Sequence, residues 1–186
     1  MRFLKKPVVA VLLSALIVIA STLVSVKIQF GAKVREVNDL FMDGMVVNGE
    51  TQPGIAASLR EIHQYAQELI PIAQRSGLDV EDVENASEWL RLSLQYSTED
   101  ASYVHYEYTE LSKALDDLRL RLDEADLSAG DRASVDTLYE QIADATAQVR
   151  ASDYNDAVRA FYKKYAHFPT DTLATLAGVY MPMYFQ

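Results

Sequence analysis

The sequence predicts an all-α protein: an antiparallel up-and-down helical bundle preceded by one N-terminal transmembrane helix. Three observations carry this. Val8–Val26 is a run of nineteen residues without a charge. Val104, Tyr108, Leu111, Leu115, Leu118, Leu122 and Ala125 recur in unbroken heptad spacing, as in a helix seated in a bundle or coiled coil. A third stripe at helical spacing runs through the last quarter of the chain, ahead of Pro169.

The first element is the apolar run. A bilayer core about 30 Å thick needs roughly 20 helical residues. Twelve of the nineteen are Val, Leu or Ile. Together they favour insertion by about 4–7 kcal/mol. Ser14, Ser21, Thr22 and Ser25 can bond back to carbonyls of the preceding turn. A core helix of this length would show a polar face. A cleaved signal has a shorter apolar region and ends in a small-x-small site, and Val24-Ser25-Val26 is a poor one. The run therefore reads as an uncleaved anchor, with residues 1–30 as basic flank and span and residues 31–186 as an acidic helical-bundle domain. Arg2, Lys5, Lys6 and the α-amino group precede the span, and Lys27, Lys33 and Arg35 follow it. The excess of one positive charge favours the amino end inside and the domain outside the cytoplasm.

After the span, Val34, Val37, Leu40, Phe41 and Met45 keep a helical spacing that predicts continuation to the turn pair Asn48-Gly49. A second helix is expected over Ile55 to Arg75, kinked or ended early by Pro71 and closed by Ser76-Gly77. Asp79 reads as the N-cap of a third helix, with the stripe Val80, Val83, Ser87, Leu90 and Leu94 and with Asp82 as a weak capping partner. Ser97-Thr98-Glu99-Asp100 reads as a break and a new helix start, leading into the heptad helix. Ser128-Ala129-Gly130-Asp131 is a turn. A last long helix is predicted from about Arg132 to Phe168. Its stripe is Val135, Leu138, Ile142, Ala145 and Val149, then Tyr154, Val158, Phe161, Tyr165 and Phe168. The gap of five after Val149 reads as a shift of seam within one helix. Pro169 marks its end, and Thr170 caps a short turn through Leu173 and Leu176. The apolar tail from Gly178 to Gln186 is expected to dock on the bundle.

Charge is sharply divided. Residues 1–35 carry six Lys or Arg and no acid; residues 36–186 carry eleven basic and all 27 acidic residues, a net charge of −16. Such a domain is repelled by phosphate backbones and anionic lipid faces, so nucleic acid is not an expected partner. The 186 residues include no Cys, which excludes disulfides and thiolate metal sites.

The end of the chain carries a recognisable pattern. It reads Ala151-Ser-Asp153-Tyr154-Asn155-Asp-Ala-Val158, then Phe161-Tyr162, Phe168-Pro169, Ala177-Gly178-Val179-Tyr180 and Tyr184-Phe185. With Leu111-Ser112 and Ala114-Leu115, this resembles the LemA family of small membrane-anchored bacterial proteins. The resemblance covers roughly residues 108–186 together with the anchor. The middle departs from it. Where the family carries an Arg-rich stretch running into Leu-Ile-Pro-Asn, residues 38–55 read NDLFMDGMVVNGETQPGI, and only Pro53 is reminiscent. The resemblance implies an antiparallel bundle on a single span in a bacterial cell membrane. It implies no established enzymatic activity.

Reactive constellations are sparse. His63, His105 and His167 stand in none of the Glu-x-x-His, His-x-x-x-His or His-Glu-x-x-His spacings of helical metal sites. The acidic segments Asp79–Glu88 and Asp116–Asp126 read as solvated helix faces, since calcium loops need ligands in loop order around a Gly turn. No P-loop, Gly-x-Ser-x-Gly or dinucleotide fingerprint occurs. No catalytic residue, metal ligand or cofactor site is expected. The aromatic set Tyr96, Tyr103, Tyr106 and Tyr108 is more informative. Three of these fall within six residues and cannot all face one core, so Tyr103 and Tyr106 are candidates for a partner surface. The functional expectation is a non-enzymatic, membrane-anchored interaction or scaffold protein of the bacterial envelope. The alternative is an envelope regulator or sensor that binds a peptide or small ligand between helices. The expected partners are the bilayer, through Val8–Val26, and membrane or envelope proteins, with a homo-oligomer left open.

Overall fold

A computed structural model of the chain describes residues 7–47, 50–96 and 100–186. The basic flank Arg2, Lys5 and Lys6, the pair Asn48-Gly49 and residues Ser97-Thr98-Glu99 lie outside the described residues. Among those described, the chain is all-α apart from one small hairpin. The elements are α1 (Pro7–Met42), β1 (Met45–Val47), β2 (Glu50–Gln52), α2 (Ile55–Arg75), α3 (Glu81–Tyr96), α4 (Ala101–Glu124), α5 (Ala129–Ala151), α6 (Tyr154–Tyr165) and α7 (Thr170–Leu176). They form two compact units. One joins α1 up to Val37 with Arg159–Met181; the other comprises Asn38–Val158 with Pro182–Gln186.

The larger unit is an up-and-down bundle of α2–α5. Its antiparallel order is visible in the cross-links. Ser58 near the start of α2 reaches Gln148 near the end of α5 at 3.2 Å, and Arg75 at the end of α2 pairs with Asp131 at the start of α5 at 2.5 Å. Gln74 of α2 bonds Glu84 of α3, and Arg121 of α4 bonds the carbonyl of Asp79 ahead of α3. Between α4 and α5 the Tyr139 hydroxyl donates to the Leu115 carbonyl at 2.8 Å, while Arg119 pairs with Asp136 at 2.9 Å. The heptad positions Val104, Leu111, Leu115, Leu118 and Leu122 are all buried, as are Val80 just ahead of α3 and Val83, Ser87, Leu90 and Leu94 within it.

Capping sets the helix ends. Asp79 accepts from the Glu81 N–H, Asp100 from the Tyr103 N–H and Ser128 from the Asp131 N–H. α2 runs through the exposed Pro71 to Arg75 instead of ending early. It closes at Ser76 with Gly77 in the left-handed region: the Gly77 N–H bonds the Gln74 carbonyl and the Leu78 N–H the Ala73 carbonyl.

Three expectations are corrected. α1 ends at Met42, and Met45 belongs to a strand, because Gly44 takes φ +78° and turns the chain back. β1 and β2 pair antiparallel with Met45 opposite Gln52. The predicted last helix is two helices. Ser152 is extended, and its hydroxyl accepts from the Tyr154 N–H, so the five-residue gap in the stripe is a break. Phe168 is 80% exposed and lies beyond α6, outside the packed stripe.

The tail docks in the larger unit. Asn155 grips the backbone of Phe185 twice: its Nδ2 donates to the carbonyl and its Oδ1 accepts from the N–H, each at 2.9 Å. The Tyr154 hydroxyl donates to the Met183 carbonyl at 2.7 Å. The Phe185 ring is buried against Phe41, His105 and Tyr108.

In the smaller unit, α1 changes character along its length. Its most apolar 18 residues have a mean hydropathy of 2.6, and none of them is buried within the protein. By length and composition this helix can cross a membrane. From Phe30 on, one face is buried: Phe30, Val34 and Val37. The Phe30 ring meets Phe161 at 5.4 Å and Tyr165 at 5.6 Å.

Candidate partner-binding groove between α3 and α4

The stripe that seats α3 in the core leaves Asp82, Asn85, Ala86 and Trp89 on another face, at offsets of three, four and seven residues. On α4, Tyr103, Tyr106, Glu107, Glu110, Lys113 and Asp117 repeat in the same way beside the heptad seam. Antiparallel packing of the two helices brings these faces together, and they line one open groove of about 600 Å³.

The groove is aromatic and acidic. Trp89, the chain's one tryptophan, is 54% exposed, Tyr106 58% and Tyr103 38%. Four carboxylates line it against one amine, and that amine is engaged: Lys113 Nζ pairs with Glu110 at 2.7 Å. The pairing raises the Lys113 pKa and keeps the ammonium charged. Glu107 is only 7% exposed. A hydrogen bond to its carboxylate pushes the Tyr103 phenol above its ordinary range. Tyr106 and Trp89 stand free of the core. Ring faces flanked by carboxylates suit an ammonium or guanidinium, which gains from the ring quadrupole and the negative charge together.

The two tyrosines proposed from sequence therefore lie in one groove. Trp89 and Glu107 were missed. Trp89 had a signal: it sits next to the stripe residue Leu90 and off the apolar face. Glu107, three residues after Val104, lies beside a seam position and carried no signal that set it apart from the other acids of α4.

Among the described residues, the histidines form no competing centre. His63 is half-buried, with Nδ1 2.7 Å from the Ser87 hydroxyl, and burial lowers its pKa. Burial also lowers that of His105, which lies against Phe185. His167 is exposed. Among the described residues, no three His, Cys, Asp or Glu side chains converge as a metal shell. A smaller cleft of about 230 Å³ lies where the hairpin meets the α5–α6 break, between Leu40, Met45, Pro53 and Tyr154. No protein-family model, curated protein or solved structure matches this chain.

Proposed function

We propose that this chain is a membrane-anchored interaction protein of the bacterial envelope, LemA-like by its resemblance. In this reading α1 holds it in the membrane, and the α3–α4 groove takes a basic segment of a partner protein outside the cytoplasm. The observation that carries the reading is the groove itself: three exposed aromatic rings and four carboxylates on one face, with the single amine already paired. Exposed Trp and Tyr are what protein interfaces use as anchors. The apolar, unburied first part of α1 supports the anchor. The net charge of the chain, −10, favours encounter with a cationic partner.

A second reading, a regulator or sensor for a small organic cation, draws support from the groove's volume, which lies in the usual range for ligand sites of about 300–1,000 Å³. One titration separates the two. The full-length protein in nanodiscs is titrated with an Arg- and Lys-rich peptide, a Glu-rich peptide of equal length, and tetramethylammonium, with Trp89 emission as the readout. The expected result is a response to the basic peptide alone, weakened by salt and by Tyr106→Ser, with the unfolding temperature nearly unchanged. An equal response to tetramethylammonium favours the second reading. No response to either cation removes both.

A further inference from the structure

Charge separates the two compact units as it does the two ends of the sequence. The described residues of the unit that contains the apolar part of α1 carry six basic and two acidic residues, a net +4. The described residues of the bundle unit carry eight basic and 24 acidic residues, a net −16. The positive unit also exposes large apolar side chains that its own core does not use. Phe168 is 80% exposed, Leu176 66% and Tyr180 79%. Lys163 and Lys164 are exposed near them in sequence.

The height of the neighbouring residues 161–173 along α1 is known from contacts within this unit. Phe161 and Tyr165 stack edge-on against Phe30. Tyr165, Thr170 and Leu173 share a cleft of about 370 Å³ with Val26, Gln29, Phe30 and Lys33. Residues 161–173 therefore lie beside residues 26–33 of α1, where the uncharged run gives way to Lys27 and Lys33. If Val8–Val26 crosses the hydrocarbon core, Phe30 stands about 6 Å beyond its edge at 1.5 Å per residue. That is the depth of the headgroup region, where aromatic rings and Lys side chains are enriched.

We infer that the segment from Lys163 to Tyr180 is a second membrane contact. It lies in the interface beside the span, with Phe168, Leu176 and Tyr180 entering the acyl boundary and the lysines facing anionic headgroups. The inference rests on the span proposed above. Apolar burial and lipid charge act together in such contacts. The two contacts would restrain the tilt of α1 and fix which face of the smaller unit meets the membrane.

The test places single tryptophans in a Trp89→Phe background of the full-length protein: Phe168→Trp, at an exposed site that folding does not use, and Leu16→Trp inside the span. Both variants are reconstituted in vesicles of phosphatidylcholine and phosphatidylglycerol, with and without acyl-chain bromination. The expected result is blue-shifted emission from residue 168 and a loss of intensity in brominated lipid approaching that at residue 16. Replacing phosphatidylglycerol by phosphatidylcholine should reduce the loss at 168 and leave that at 16 unchanged. Quenching at 16 but not at 168 overturns the second contact and leaves the span. Quenching at 168 but not at 16 keeps the contact and removes the span. Quenching at neither removes both.

Discussion

Asn155 is a side chain that acts as backbone. Its amide supplies one donor and one acceptor to Phe185, in the way that a neighbouring strand would, and so satisfies the Phe185 backbone where it docks. Asn155→Ala removes both bonds and leaves the Phe185 N–H and carbonyl without these partners, at about 1–3 kcal/mol for each group that water cannot reach. The expected outcome is faster hydrogen exchange at the Phe185 amide with the bundle's slowest amides unchanged; unaltered exchange there would show that the aromatic cluster alone holds the tail. Phe161 belongs to the other unit and is 4% exposed, against Phe30 and Tyr165. Truncating a buried Phe to Ala costs about 3–5 kcal/mol, from lost transfer energy and the cavity left behind. Chemical unfolding of the full chain in detergent should show that loss for Phe161→Ala. A change below about 0.5 kcal/mol is the mark of a surface ring and would contradict this packing.

At the scale of elements, what could be read from sequence depended on punctuation. The bounds of α2 were legible because Pro53-Gly54 and Ser76-Gly77 frame it, and its apolar face has a single period between them, although Pro71 was expected to kink it or end it early. α4 was legible because a heptad seam leaves little choice of face. The α1 end and the α5–α6 break were misread for one shared reason. Met45, Val46 and Val47 prolong an apolar pattern that helix and strand both satisfy over three residues, and a one-residue seam shift fits a continuing helix as well as a broken one. Gly44 and Ser152 held the deciding signals. A Cβ at Gly44 would collide with the Gln52 carbonyl oxygen, and its backbone lies in the left-handed region. Gly44→Ala therefore carries a backbone cost of about 1–2 kcal/mol, to which the collision adds. Thermal unfolding should fall accordingly, with the amides of the β1–β2 pair losing protection first. An unchanged midpoint would mean that the hairpin contributes nothing to the bundle.

The whole molecule divides its chemistry between two units: a positive one built on an apolar helix that it leaves unburied, and an acidic bundle with an aromatic groove. Half of that groove was legible. Tyr103 and Tyr106 stood out because closely spaced tyrosines cannot share one core. Trp89 joins them only once α3 is known to pack antiparallel on α4, a fact of tertiary pairing that no local pattern carries. The central claim is that this groove is where a partner docks while α1 holds the protein in the membrane. Its most direct test is a photo-crosslinking residue at position 106, compared with one at position 140 on the exposed face of α5, in native membranes, with the crosslinked peptides mapped by mass spectrometry. The account expects position 106 to capture a Lys- or Arg-rich segment of a membrane or envelope protein, expects Trp89→Ala to abolish that product, and expects position 140 not to yield it. The same products from both positions, or a product at 106 that Trp89→Ala leaves intact, would contradict it.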